Sequence, residues 1–137
     1  MRILAIDPGH TTGWCKIEVE DEKPKYVFSG NIDHEKSFSH AIHSLLNDLS
    51  LTKTIVERPP YNLPPIMGRV VGDVILAICE RPMTYVSPAE WKPITGRYPL
   101  PKLDWRTTRH ERDAWRMGVF WLWKEGLIRL DTVPHTL

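Results

Sequence analysis

Two short apolar segments, each ending at a carboxylate, constrain the fold of this chain more than any other feature of its sequence. Residues 3–6 form a continuous apolar run that stops at Asp7, and residues 54–56 form a second run that stops at Glu57. Short runs without polar alternation are typical of strands buried on both faces of a sheet. The sequence therefore predicts a layered α/β fold in which Asp7 and Glu57 lie at the carboxyl ends of two such strands.

Turn residues and helical spacing predict the remaining elements. They are strands at residues 14–19, 26–29 and 84–87, and helices near residues 35–49, 66–80 and 108–125. Residues 20–24 form a charged turn, so the strands on either side are expected to be antiparallel. Residues 88–106 are rich in proline and are expected to be irregular. This order predicts a mixed five-stranded sheet flanked by helices, within a single domain over residues 1–137.

Two of the helices carry clear local signals. The last one begins with a T-x-x-E capping box formed by Thr108 and Glu111, and Gly126 is expected to cap its end. The helix near residues 35–49 has one apolar stripe at helical spacing. The members of this stripe are Phe38, Ala41, Ile42, Leu45, Leu46 and Leu49.

Composition excludes several classes of protein. A chain of 137 residues with 42% hydrophobic residues is long enough to bury a core without disulfides. No run of about 18 apolar residues is present, as a membrane-spanning helix requires. Cys15 and Cys79 form no C-x-x-C pair, which argues against a disulfide scaffold and a cysteine-built zinc site. The opening MRILAID does not resemble a signal peptide, and a reducing cytoplasm is the expected location.

Charge is distributed unevenly along the chain. Residues 1–57 carry 6 Lys and Arg against 9 Asp and Glu, whereas residues 58–129 carry 12 against 7. The first segment therefore has a net charge of −3 and the second of +5, although the whole chain has only +1. A basic segment suits a partner rich in phosphate, because binding releases the counterions of each neutralised phosphate.

A third group of candidate ligands lies on the last helix. His110 and Asp113 are three residues apart, so they share one face of its first turns. Together with Asp7 and Glu57 they could hold hard divalent cations such as Mg²⁺ or Mn²⁺. Each residue also has a structural interpretation: Asp7 as a turn residue, Glu57 as the ion-pair partner of a neighbouring base, and His110 with Asp113 as a solvated helix face.

These residues resemble the motifs of the RuvC family of Holliday-junction resolvases, within the RNase H-like superfamily. Residues 3–14 read ILAIDPGHTTGW, which is similar to the first strand of that family, and residues 55–57 read IVE, similar to its second acidic strand. Residues 68–72 match the G-x-x-x-G of the dimerisation helix. Residues 87–92 read SPAEWK, similar to the segment before a basic residue near the site. Residues 110–114 read HERDA, similar to the closing acidic helix.

The resemblance implies a dimeric endonuclease that resolves four-way DNA junctions by symmetric paired nicks, leaving 5′-phosphate and 3′-hydroxyl ends. It implies two Mg²⁺ ions per site, replaceable by Mn²⁺, and a homodimer formed through the helix at residues 66–80. The implied metal ligands are Asp7, Glu57, His110 and Asp113, with His110 either a ligand or a proton-transfer group. Lys92 is the implied catalytic basic residue near the scissile phosphate. The implied DNA contacts are Arg58, Tyr61, Arg69, Lys92, Lys102 and Arg109. A bacterial or phage-infected cell is the implied setting.

Three other functions remain as alternatives. An RNase H-like nuclease with broader specificity for branched DNA fits the same motifs. A non-catalytic junction-binding module would keep the fold, although all four ligand positions hold competent residues. The stretch from Asp7 to Gly13 is also similar to the phosphate loop of actin-like ATPases and sugar kinases, but the second such domain and the second D-x-G loop of those proteins are missing.

Overall fold

The computed structural model describes most of the chain, namely residues 1–33, 38–58, 71, 73, 75, 83–95 and 107–130. Five strands and three helices have defined bounds in this part of the chain. They are β1 (Arg2–Asp7), β2 (Thr11–Glu20), β3 (Lys23–Asp33), α1 (Phe38–Leu46), β4 (Lys53–Glu57), β5 (Met83–Val86), α2 (Pro88–Thr95) and α3 (Arg109–Lys124). None of the helices in the described part is both long enough and apolar enough to cross a bilayer.

The strands form one mixed sheet in the order β3-β2-β1-β4-β5. β1 pairs antiparallel with β2 and parallel with β4, and β4 pairs parallel with β5. Ile6 lies opposite Val56 in this register, so the strands end side by side at Asp7 and Glu57. The predicted mixed five-stranded sheet with flanking helices is confirmed.

Two hydrophobic layers cover the central strands, as their unbroken apolar sequence requires. Ile3 and Ala5 face α3, while Leu4 and Ile6 face the side of α1, and all four are fully buried. Gly118 lets α3 approach the sheet closely, because an added Cβ would lie 2.6 Å from the Ile17 side chain. Burial on both faces explains why these strands show no polar alternation.

The hairpin between β2 and β3 forms where the charged turn is predicted. Asp21 and Glu22 have φ values of 51° and 59°, and Glu20 pairs with Lys23. Positive φ at both central residues is the signature of a type I′ turn, whose twist matches that of the two strands. Both strands are longer than predicted, because pairing continues through polar residues to Asp33.

Both ends of α3 follow the sequence signals. Thr108 and Glu111 form the reciprocal capping box, and the chain leaves the helix through Gly126 at φ 73°. Glu125 is the C-cap, so Gly126 lies one residue beyond the cap instead of forming it as predicted. The Leu127 N–H donates to the Leu122 carbonyl in a Schellman ending.

Two predictions of secondary structure are wrong. Residues 88–95 are helical rather than irregular, because Pro88 occupies the first helical position and the Glu90 carboxylate accepts the Ser87 N–H at 2.8 Å. Helix α1 ends at Leu46 instead of residue 49, and Leu49 is 86% exposed rather than part of the buried stripe.

The helix predicted at residues 66–80 lies largely outside the described residues. Within it, Val71, Asp73 and Ile75 are helical. Val71 and Ile75 are buried in the same apolar layer as α1, whereas Asp73 is exposed. This helix therefore packs on the chain's own sheet through at least these two side chains.

Candidate active site

Asp7 and Glu57 occupy neighbouring strand ends on one face of the sheet. Strand alternation puts Asp7 on the face of Ala5 and Glu57 on the face of Ile55, which is the face that α3 covers. The side chain of Asp7 is only 16% exposed, and Glu57 is buried. The two carboxyl groups are hydrogen-bonded to each other.

Burial and the crowding of negative charge both raise the pKa values of this pair, and burial has the larger effect. Burial, followed by the charges of Glu57 and Asp113, raises the pKa of Asp7 from 3.8 to about 8, against a smaller opposing effect of Lys92. Burial also raises the pKa of Glu57, and the positive charge of Lys92 and a hydrogen bond from Trp91 partly oppose this shift. Asp7 therefore keeps a proton at neutral pH unless a cation compensates the charge.

Helix α2 supplies two residues to the site. The Trp91 indole N–H donates to Glu57 Oε2 at 2.6 Å, and Trp91 is 2% exposed. Lys92 is exposed, and its Nζ lies 5.5 Å from the centre of the Trp91 ring. Trp91 thus fixes Glu57 from the interior, while Lys92 brings a positive charge to the solvent side of the carboxylates.

The first turn of α3 brings the third group of ligands to the same place. His110 Nδ1 lies 4.0 Å from Asp7 Oδ2, and Asp113 contributes to the negative charge around Asp7 and Glu57. Gly13, which pairs with Asp7, permits this approach: a Cβ there would lie 2.3 Å from the His110 carbonyl. The carboxyl ends of β1 and β4 are therefore the place where the structure brings together Asp7, Glu57, Lys92, His110 and Asp113.

The donor set fits a hard divalent cation by chemistry, although it is not arranged as a finished coordination shell. Among the described residues, no three His, Cys, Asp or Glu side chains are placed so that they could hold a metal ion as they stand. Asp113 is drawn instead towards Arg116, at 3.6 Å, and Arg109, at 4.0 Å. The charge of Asp113 opposes ionisation of Asp7 and Glu57, and a divalent cation stabilises such an environment.

The basic residues expected to contact DNA have different surroundings. The Arg109 side chain is 85% exposed beside the site. Arg58 directly follows Glu57, lies 3.6 Å from Asp73 and stacks 5.0 Å from the centre of the Tyr85 ring. Arg58 is thus paired within the chain. Tyr61, Arg69 and Lys102 lie outside the described residues.

Sequence reasoning missed a polar network behind the site. Glu111 is buried and accepts hydrogen bonds from Ser29 Oγ at 2.6 Å, the Thr108 N–H at 2.8 Å and Asn31 Nδ2 at 3.0 Å. Burial alone would raise the pKa of Glu111, but these hydrogen bonds outweigh it and hold the pKa below its usual value. The sequence signal that could have revealed this network is the presence of Ser29 and Asn31 at alternate positions of β3. This spacing places both polar side chains on the face of the sheet that α3 covers.

Comparison with known proteins finds similarity in structure rather than in sequence. No protein-family model and no curated protein sequence matches this chain. Thermus thermophilus RuvC superposes with a TM-score of 0.69 at 16% identity, covering 93% of this chain and 98% of that one. The same protein in complex with a Holliday junction substrate gives 0.66 at 15%, covering 91% and 96%. The fowlpox virus Holliday junction resolvase gives 0.55 at 10%, covering 90% and 99%.

At identities this low, the superpositions establish the fold but not the chemistry, which must be argued from the residues of the site. Both relatives are matched over nine-tenths or more of each chain, so the similarity extends across the whole sheet and its helices. The resemblance of the sequence motifs to RuvC is matched by a resemblance of structure. This chain therefore has the RNase H-like fold of the RuvC resolvases.

Proposed function

We propose that this chain is a metal-dependent endonuclease that cuts four-way DNA junctions by paired, symmetric nicks, leaving 5′-phosphate and 3′-hydroxyl ends. The observation that carries the proposal is the convergence of Asp7, Glu57 and Asp113 from β1, β4 and α3, with a pKa of about 8 at Asp7. Such an accumulation of carboxylates opposes folding unless it serves a cation. The fold shared with T. thermophilus RuvC and the fowlpox resolvase supports junction DNA as the substrate.

The residues of the chain divide the work of phosphodiester hydrolysis among them. Asp7, at the centre, would contribute to both of two metal positions, Glu57 to one, and Asp113 with His110 to the other. Bound Mg²⁺ or Mn²⁺ supplies an activated water and stabilises charge on the phosphate and the leaving oxygen. His110, if not a ligand, would move a proton at its Nδ1, the atom that faces Asp7.

Exposed cations would hold the DNA backbone at the site. Lys92 faces the carboxylates from the solvent side, and its charge would be available to the scissile phosphate. Arg109 is the most exposed base of the first turn of α3 and would contact a neighbouring phosphate. The other proposed DNA contacts are Arg58, Tyr61, Arg69 and Lys102.

A second copy of the chain completes the proposed enzyme. A four-way junction has two-fold symmetry, so a dimer would present two sites to opposed strands. The helix predicted at residues 66–80 is the proposed interface. Sedimentation analysis at micromolar concentration tests this part of the proposal: a protein that stays monomeric with and without junction DNA would contradict it.

A cleavage assay tests the reaction. A mobile synthetic four-way junction and a linear duplex of matched sequence are incubated with Mg²⁺, Mn²⁺ or EDTA and the wild type, Asp7→Asn or Glu20→Gln. Glu20 is an exposed carboxylate at the opposite end of β2 from Gly13, so Glu20→Gln is the matched control. Paired nicks in the junction alone, present in the wild type and the control and abolished by EDTA or Asp7→Asn, are the expected result.

The other functions give different results in the same assay. Tight junction binding without cleavage in either metal would contradict catalysis and identify a binding module. Equal cutting of the junction and the duplex would retain the metal site but refute junction selectivity. Cleavage of other branched DNA at the same rate would indicate the broader nuclease.

A further inference from the structure

We propose that Asn31 and Glu111 form a clamp between β3 and α3 that positions His110 and Asp113 against Asp7. Asn31 is then a positioning residue for the metal site, although it lies on a different strand from the ligands. This inference rests on the proposed function, because it assigns a role to residues that support the candidate metal ligands.

The clamp lies on one row of residues that crosses three strands. Asp7 pairs with Gly13 between β1 and β2, and Gly13 pairs with Asn31 between β2 and β3. The first turn of α3 lies over this row. His110 is next to Asp7, the His110 backbone packs on Gly13, and Glu111 contacts Asn31. The position of the turn along the row therefore sets the distance between His110 and Asp7.

The Asn31 amide bridges two residues of the first turn of α3. Its Nδ2 donates to Glu111 Oε2 at 3.0 Å, and its Oδ1 accepts from Thr108 Oγ1 at 2.9 Å. Thr108 and Glu111 are already joined by the capping box, whose two bonds are donated by their backbone N–H groups, so the three residues close a ring of hydrogen bonds. A ring of this kind fixes both the height and the rotation of the turn, because each member is held at two points.

A second connection to β3 runs through Ser29. Its Oγ donates to Glu111 Oε1 at 2.6 Å and also lies 2.8 Å from the Tyr26 hydroxyl. Since the single Ser29 hydroxyl proton is used on Glu111, Tyr26 is the donor to Ser29. A capping box needs only its own helix to form. The hydrogen bonds from Ser29 and Asn31 add nothing to the cap itself and instead attach the helix start to the sheet.

The test separates positioning from general stability with two variants. Asn31 is exposed, so Asn31→Ala removes the bridge without opening a core cavity. Gly126→Ala is the control: it strains the other end of α3 at φ 73° and its Cβ meets nothing within 4 Å. The melting temperature of each variant is measured, and Mn²⁺ binding is followed through the paramagnetic resonance signal of free Mn²⁺. Single-turnover junction cleavage is measured as a function of metal concentration.

We expect Asn31→Ala to weaken Mn²⁺ binding about tenfold, the lower end of the effect of losing a hydrogen bond directly to a ligand, because Asn31 acts on the ligands through Glu111 and Thr108. The metal concentration for half-maximal cleavage should rise by the same factor. Gly126→Ala should lower the melting temperature but leave both metal readouts at the wild-type value. If Asn31→Ala binds Mn²⁺ as tightly as the wild type, the clamp is refuted while the proposed function stands. The same holds if Gly126→Ala weakens Mn²⁺ binding as much as Asn31→Ala does. A wild type that binds no Mn²⁺ overturns the metal site, and the clamp's role with it.

Discussion

Adding one methyl group at Gly13 should disable the site without touching any candidate ligand. The Cβ of alanine at this position would lie 2.3 Å from the carbonyl carbon and oxygen of His110 and 2.6 Å from the His110 Cβ. Ordinary contact begins at 3.4 Å, so the backbone of α3 and that of β2 must separate by about 1 Å. The neighbours are backbone atoms, which cannot rotate away as a flexible side chain does.

The size of the effect follows from this displacement. Moving a catalytic group by about 1 Å costs about 10²-fold in rate, because the reacting groups leave their productive geometry. Overpacking of this kind also lowers the free energy of unfolding by about 1–3 kcal/mol. In a domain of this size each kcal/mol lowers the melting temperature by about 3–5 °C. The fold should therefore survive while cleavage falls by two orders of magnitude.

Single-turnover cleavage of a four-way junction and thermal unfolding measure the two effects on the same samples. Gly118→Ala is the control, because its Cβ would meet the flexible Ile17 side chain at 2.6 Å and the Ala5 Cβ at 3.0 Å, in the middle of the same helix. It should lower the melting temperature with a much smaller effect on rate. A wild-type rate for Gly13→Ala, or an equal loss of rate in both variants, would refute the argument that Gly13 sets the position of the first turn.

Three further predictions concern charge and hydrogen bonding. Without metal, ionisation of Asp7 should lower the free energy of unfolding as pH rises from about 4 to about 8, because its folded-state pKa of about 8 lies above the usual 3.8. Asp7→Asn should flatten this pH dependence in urea titrations at several pH values, and an unchanged slope would contradict the prediction. Trp91→Phe should cost about 1.5–3 kcal/mol in the same titration at pH 7, because buried Glu57 loses the 2.6 Å indole hydrogen bond, whereas an unchanged midpoint would show that Glu57 finds another donor. Asp48 accepts hydrogen bonds from Lys16 and Ser50, which hold its pKa well below the usual 3.8, so the stability it adds is present at neutral pH and is lost as pH falls below about 4. Asp48→Asn should therefore cost about 1 kcal/mol at pH 7, with a difference from the wild type that shrinks in acid; a constant difference would refute the assignment.

The sequence is informative where one physical effect decides the local structure. An uninterrupted apolar run is compatible with few environments, which is why β1, β4 and the carboxylates at their ends are predicted correctly. The start of α3 is similarly clear, because the Thr108 capping box satisfies backbone groups within a single turn. Convergence of Asp7, Glu57 and Asp113 then follows from adjacent strand ends and a helix packed on the same face.

The remaining features depend on contacts between residues distant in sequence. Helix α2 is obscured by its prolines, although Pro88 and Glu90 form a good helix start. The role of Trp91 depends on Glu57, which lies on another element, and nothing local distinguishes this tryptophan from an ordinary core residue. From the sequence, Glu111 is only a capping residue, because its hydrogen bonds to Ser29 and Asn31 depend on the packing of β3 against α3. Leu49 completes a helical stripe in sequence, but the helix ends before it and its side chain points into solvent.

The division of the site between β1 and α3 has a consequence for the order of events during synthesis on the ribosome. β1 can pair with β2, and β2 with β3, early, but the face of the sheet that carries Asp7 stays uncovered until α3 has been made. At about 5–20 residues per second, the interval before α3 emerges lasts several seconds. During this time Ile3, Ala5 and Ile17 are exposed to other nascent chains and to chaperones. In the same interval Asp7 lacks the helix that carries Asp113, so in a partly made chain the candidate metal ligands are not yet brought together.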